Sequence, residues 1–121
     1  MIKVVAILKR KKGLSFEQFR DHYETSHAML AKKHFGHLFS DYRRNYLPSA
    51  PSITASDPAA AAAGSAAPDV VTEICFRDEK AFAEFGRLFG DPATQKIFTD
   101  DEERFLDRPA CNWGIAEIVS G

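Results

Sequence analysis

Residues 14–37 read LSFEQFRDHYETSHAMLAKKHFGH, and their spacing predicts one amphipathic helix with a defined start. Ser15 stands as N-cap, its hydroxyl placed to accept from the backbone N–H three residues on, and Gln18 completes a capping box. Leu14 and Phe19 flank the cap as a hydrophobic staple would. At about 100° per residue, Phe16, Phe19, Tyr23, Ser26, His27 and Leu30 fall on one stripe, with Arg20, Asp21, Glu24 and Thr25 off it. His27 therefore faces the core, whereas His22 falls at the flank, in water.

The same stretch holds all four histidines of the chain. An imidazole on an apolar stripe has two readings. It is a core side chain satisfied by its neighbours, or a proton-transfer group lining an apolar cavity, since histidine titrates near neutral pH and burial tunes it. A shared metal is disfavoured by spacing: His27 and His34 are about 10 Å apart along a helix. Gly36, between His34 and His37, is read as the helix end. Neither H-E-x-x-H nor C-x-x-C occurs.

With 121 residues the chain fits a single domain, 1–121. Sixteen basic and seventeen acidic residues leave a net charge of −1, which gives no pull toward nucleic acid or membrane. Cys75 and Cys111 are the only cysteines, so a reducing cytoplasm is the simpler compartment. The first apolar run is broken by Lys3 and is too short for a signal peptide core or a membrane span. Ten phenylalanines need burial somewhere.

Outward from the histidine stretch, Ile2–Lys9 reads as a strand apolar on both faces, closed by the Arg10-Lys11-Lys12-Gly13 turn. Asp41–Leu47 is a second strand with Tyr42 and Tyr46 on one face. Residues 48–69 turn to Ala, Pro and Ser and bury too little to offset their ordering entropy; they read as an insertion between two strands. Within it, Asp57, Pro58 and the alanines before Gly64 offer about two turns of helix. Val70–Arg77 is the third strand, with Glu73 flanked by Val71 and Cys75 on one face. That carboxylate is either an edge or interface charge paired with an arginine, or an orienter for a histidine or a base in its own right. Asp78 caps a helix that Gly90 stops after Phe89. Asp91-Pro92 opens another, carrying Ile97, Phe98, Phe105 and Leu106, with Asp100-Asp101-Glu102-Glu103 as a solvated face. A last strand runs from Cys111 to Val119.

This order predicts an α+β ferredoxin-like sandwich, a four-stranded antiparallel sheet with helices on one face and the first and third strands central. One sheet face is left bare although several strands are apolar on both sides. A second copy across a twofold axis, sheet to sheet, is the simplest cover. The two cysteines fall on strands separated by the first and are expected not to bond.

The run from Met1 to Ala28, with its strand, Gly13-Leu14-Ser15 turn and helix ending in a His-Ala element, resembles the EthD domain family. Tyr42, Asn45, the segment 73–76 and the stretch 101–105 look like its later landmarks. This chain departs from the pattern at Met29, where proline is usual, and in residues 48–69. The resemblance implies a dimeric α/β barrel, in a superfamily with cofactor-independent monooxygenases, muconolactone isomerase, and polyketide cyclases, dehydratases and decarboxylases. The family's name comes from alkyl ether degradation beside a monooxygenase system. By carry-over His27 is the catalytic acid/base, with Tyr23, Tyr42, Asn45, Glu73, Phe76, Phe105 and Trp113 as pocket residues. The implied activity is that of a small enzyme without metal or organic cofactor, an oxidoreductase of monooxygenase type or a lyase or isomerase. Its substrate would be an apolar cyclic or aromatic metabolite held between helices and sheet. The rival readings are a non-catalytic binding or accessory protein supporting a monooxygenase system, and a structural dimer with a filled interior.

Overall fold

β1 (Ile2–Leu8) sits at the centre of the sheet because it pairs along both edges, with β3 (Val70–Phe76) on one side and β4 (Asn112–Ile115) on the other. In the computed structural model, which describes residues 1–53 and 67–121, the strand order is β2-β3-β1-β4, β2 being Phe39–Tyr46, and every neighbouring pair is antiparallel. The expected sandwich with the first and third strands central is what forms. Register sets the faces: Val4 lies opposite Ile74 and Ala6 opposite Thr72, so these side chains turn toward the helices. Lys3, Val5 and Ile7 turn the other way with Val71, Glu73 and Cys75.

Two strand boundaries move by more than one residue. β2 starts at Phe39, earlier than expected, because a register irregularity between Phe39 and Asp41 lets pairing with β3 extend past the polar Asp41. β4 stops at Ile115 instead of Val119. Its register would set Glu117 against Ile2, where β1 begins, so the ladder runs out after the Ala116 N–H reaches the Lys3 carbonyl at 2.8 Å. Ile118 and Val119 are left exposed.

The helices are α1 (Phe16–His22), α2 (Ala28–Phe35), α3 (Glu79–Phe89) and α4 (Pro92–Phe105). Their starts follow the caps in the sequence. Ser15 and Gln18 form the reciprocal capping box, Asp78 accepts from the Ala81 N–H, and Asp91 accepts from the Thr94 N–H. Each such cap contributes about 1 kcal/mol. Gly13 turns the chain into α1 at φ +92°, a conformation that costs other residues more. The single helix expected over 14–37 is instead two α-helices joined by a π turn (Tyr23–His27), and a 3-10 turn (Gly36–Leu38) follows.

The phenylalanines form a continuous layer between helices and sheet. Phe76 of β3 packs on Phe85 at 5.0 Å between ring centroids, Phe85 on Phe35 at 4.8 Å, and Phe35 stacks on Phe98 at 5.2 Å. Phe19, Tyr23 and Phe105 fill the other end with Val70 and Leu106. Both ends of the insertion are tied beside β1: the Leu47 N–H donates to the Asp69 carbonyl, and the buried Asp69 carboxylate accepts from the Arg10 N–H at 2.8 Å. The two helical turns expected near 57–64 lie outside the described residues. Cys75 and Cys111 are free thiols. Among the described residues no helix is long and apolar enough to cross a membrane.

Candidate active site

The π turn decides what the histidine stretch does. In an α-helix, residues five apart point about 140° away from each other, which is why periodicity places His22 in water. In the π turn the Ala28 N–H donates to the Tyr23 carbonyl, five residues back. The wider turn swings His22, Ser26 and His27 to the same side, facing α4.

What they face is Asp101. It sits on the buried side of α4 between Phe98 and Phe105, and is 1% exposed. One carboxylate oxygen, Oδ2, accepts from His27 Nδ1 at 3.0 Å. The other, Oδ1, accepts from His22 Nε2 at 3.0 Å and from Ser26 Oγ–H at 2.7 Å. The acidic run of α4 is therefore not a solvated face throughout. Asp101 is interior, and Glu102 is buried enough that its carboxyl is pushed up. His22 is likewise no solvated flank residue: its ring stacks on Phe105 at 4.7 Å.

Burial alone would push the Asp101 carboxyl up, but the bonds from Ser26 and His27 and the proximity of His22 outweigh it and hold it below the usual carboxylate range. An ionised carboxylate only accepts, so both imidazole nitrogens facing it carry hydrogens. That fixes His27 with its proton on Nδ1 and its lone pair on Nε2. Burial pushes the His27 pKa down, only partly offset by Asp101, so the ring is neutral near pH 7. Phe105, Tyr23 and Phe98 surround it at centroid distances of 5.1, 5.5 and 5.7 Å. Among the described residues Nε2 makes no hydrogen bond and no buried side-chain nitrogen or oxygen lacks a partner, so this atom keeps some exposure. The result is an oriented, uncharged base with an apolar surround.

Of the other expected pocket residues, three join His27. Tyr23 and Phe105 contact its ring, and Tyr42 reaches it through Tyr23, its hydroxyl donating to the Tyr23 oxygen at 3.4 Å. The Tyr23 hydroxyl pairs with Thr72 Oγ1 at 2.7 Å. Burial pushes both phenols up, so neither ionises near neutral pH. Beside them Arg44 holds Glu24 by two bonds, of 2.9 and 2.6 Å, and lies over the Tyr42 ring at 4.5 Å.

The remaining four lie elsewhere. Asn45 and Glu73 occupy the helix-free face of the sheet, where Asn45 Nδ2 and Lys3 Nζ donate to the Glu73 carboxylate at 3.1 and 3.0 Å. Lys3 first, then Asn45, holds that carboxyl below its usual value, the opposite of what a general acid needs. The carboxylate that orients His27 is Asp101, and the cation paired with Glu73 is a lysine, not an arginine. Phe76 belongs to the far end of the core, with Val4, Leu38 and Ala81. Trp113 is on the edge strand β4, 72% exposed. Between helices and sheet beside His27, the space expected to hold substrate is taken by Tyr23, Phe98 and Phe105. A cleft of about 530 Å³ opens instead between the π turn and α4; Ser26 and Asp101 reach it, His27 does not. Among the described residues no group of three His, Cys, Asp or Glu is arranged to hold a metal ion.

Asp101, His22 and Ser26 are the members the sequence reading did not assign. Asp101 had a signal: it is three residues after Phe98 and four before Phe105, on the helix stripe that those rings define. His22 had none, because a π turn leaves no mark on apolar periodicity.

The family model of the EthD domain matches residues 11–109. Among solved structures, At3g17210 from Arabidopsis thaliana is 16% identical with a TM-score of 0.62, the alignment covering 100% of this chain and 98% of that one. An EthD family protein from Bacillus halodurans C-125 is 17% identical with a TM-score of 0.62, over 98% of this chain and 99% of that one. At such identities the likeness concerns the fold alone. No curated protein matches the chain.

Proposed function

This chain belongs to the EthD domain family, and on that footing we propose that it is a small cofactor-independent enzyme in which His27 moves a proton on an apolar cyclic or aromatic metabolite. The observation that carries this reading is the 3.0 Å bond from His27 Nδ1 to Asp101, which leaves Nε2 unprotonated and unbonded. Nε2 takes a proton from an activated C–H or O–H of the substrate. The imidazolium formed is held by the Asp101 anion, which Ser26 and His22 keep in place. Elimination, isomerisation and the deprotonation that precedes cofactor-free oxygenation all need this one step. The rings of Phe98, Phe105 and Tyr23 fill the space behind His27, so the substrate would meet Nε2 from the open side of the ring. Two free thiols suit a reducing, cytoplasmic setting.

We also assign the sheet's helix-free face to a second copy. Ile7, 44% exposed, lies there with Val5 and Val71, apolar side chains beside the Lys3–Glu73 pair. Sedimentation of wild type against Ile7→Lys tests it: a dimer that the variant dissociates supports the assignment, and a monomeric wild type ends it.

The enzymatic reading is tested by screening aromatic and polyketide-like compounds by thermal shift, then following turnover of those that bind. His27→Ala is expected to slow conversion by about 10²- to 10⁴-fold with the fold intact. Unchanged turnover in that variant removes the mechanism. A second reading, a structural dimer with a filled interior, is favoured by the close packing of rings around His27. Its signature is that none of these compounds is turned over and none binds at His27.

A further inference from the structure

The cleft between the π turn and α4 has walls of two kinds. Met29, Leu30 and Ile97 form an apolar one, and Met29 and Ile97 are 55% and 39% exposed there. Lys33 and Arg104 stand at its edge. The polar groups around them are already committed. Ser26 donates to Asp101 at 2.7 Å, Thr25 donates to the Asp21 carbonyl at 2.6 Å, and Asp100 accepts from Lys96 at 2.9 Å. Lys33 has no ion-pair or hydrogen-bond partner among the described residues. The nearest carboxylate oxygen to Arg104, Oδ1 of Asp101, is 3.9 Å away and already takes His22 and Ser26.

An open cleft with an apolar wall and two under-used cations lacks one kind of occupant, an anion with a greasy body. We propose that it binds small apolar carboxylic acids, aryl or alkyl, the body lying on Met29, Leu30 and Ile97 and the carboxylate meeting Lys33 and Arg104. Its volume of about 530 Å³ is within the range of small-molecule sites, roughly 300 to 1,000 Å³. An inorganic anion would leave the apolar wall wet, and a neutral arene would leave the cations unanswered. A charge-assisted bond to guanidinium or ammonium is about twice as strong as a neutral one, so the acid is preferred over its amide. His27 is not a wall of this cleft, which shares only Ser26 and Asp101 with the acid/base group.

The full chain, 15N-labelled, is titrated with 4-phenylbutyrate and separately with 4-phenylbutyramide while amide shifts are followed. The acid is expected to give saturable shifts over 25–33 and 97–104 below about 10 mM, with the amide at least about tenfold weaker. Lys33→Gln with Arg104→Gln, both at exposed positions, weakens the acid by a similar factor, and Met29→Glu does so through the apolar wall. His27→Ala binds the acid as wild type does, which separates failure here from failure of the catalytic reading. The proposal is overturned if the amide binds as tightly as the acid, if shifts centre elsewhere, or if none saturates by about 10 mM.

Discussion

Two carboxylates on opposite sides of this fold make similar hydrogen bonds and have different consequences. Asp101 and Glu73 each accept from nitrogen donors at about 3.0 Å, and each is held below its usual pKa. Asp101 is shut between α4 and the π turn, with its side chain 2% exposed, while that of Glu73 is 28% exposed on the bare sheet face. A buried charge must be compensated by fixed partners, so Asp101 dictates the tautomer and orientation of the groups around it. A charge beside water is compensated by water, so Glu73 dictates little in the isolated chain. Burial, more than bond length, separates a candidate site from a surface pair.

The sharpest way to break this contrast is to neutralise each carboxylate without changing its shape. In Asp101→Asn the amide can donate to His27 Nδ1, which moves the ring proton to Nε2 and removes the base. Turnover is expected to fall by about 10²- to 10⁴-fold. Without any substrate, the nitrogen shifts of His27 report the same event, and its pKa drops further because the raising influence of Asp101 is gone. Glu73→Gln should leave both readouts unchanged. If both variants behave alike, the distinction drawn here is wrong.

The next effect is on stability, and it compares the ring that stacks under the histidines with the ring at the sheet edge. Phe105 is fully buried against His22, His27, Tyr23 and Phe19. Phe105→Ala is expected to cost about 3–5 kcal/mol, measured by urea unfolding. Trp113→Ala, at low protein concentration, should stay within about 0.5 kcal/mol. Equal losses would mean that Trp113 is covered within the single chain.

Acid gives a smaller, graded test. Unfolded His27 takes up its proton near pH 6.5, whereas in the fold burial delays uptake to lower pH. Between those points the unfolded chain binds more protons, so stability falls as pH falls, by up to about 1.4 kcal/mol per unit, and is flat above about 6.5. His27→Gln should lack that part of the slope. An identical slope in both proteins would show that His27 is not buried as a neutral ring.

These tests bear most heavily on residues the sequence did not assign. Strand order, the three caps and the inward turn of His27 were legible because apolar periodicity and capping chemistry are local. The sandwich followed from the same patterns, while the EthD likeness rested on the particular residues of the opening strand, turn and helix. The partner of His27 was not legible, since pairing it with Asp101 spans 74 positions and depends on how α4 packs. His22 was misplaced because one π turn shifts the helical phase between it and His27. Glu73 was weighed as an orienter on strand alternation, but alternation assigns a face without saying which face meets the helices.

The smallest expected effect sharpens the comparison by changing the company Glu73 keeps. In a dilute, monomeric chain, Glu73→Gln should leave the unfolding midpoint where it is, at low salt and high, because water and salt screen the Lys3 pair. If two copies meet through their sheets, the same pair is stripped of water, and removing one member leaves Lys3 unanswered inside the interface. Dimer dissociation should then become easier by about tenfold or more, while turnover per folded site at His27 is unaffected. Sedimentation over a range of concentrations separates the two states. A variant that dimerises as wild type does would place Glu73 outside the contact and remove the helix-free face as the interface.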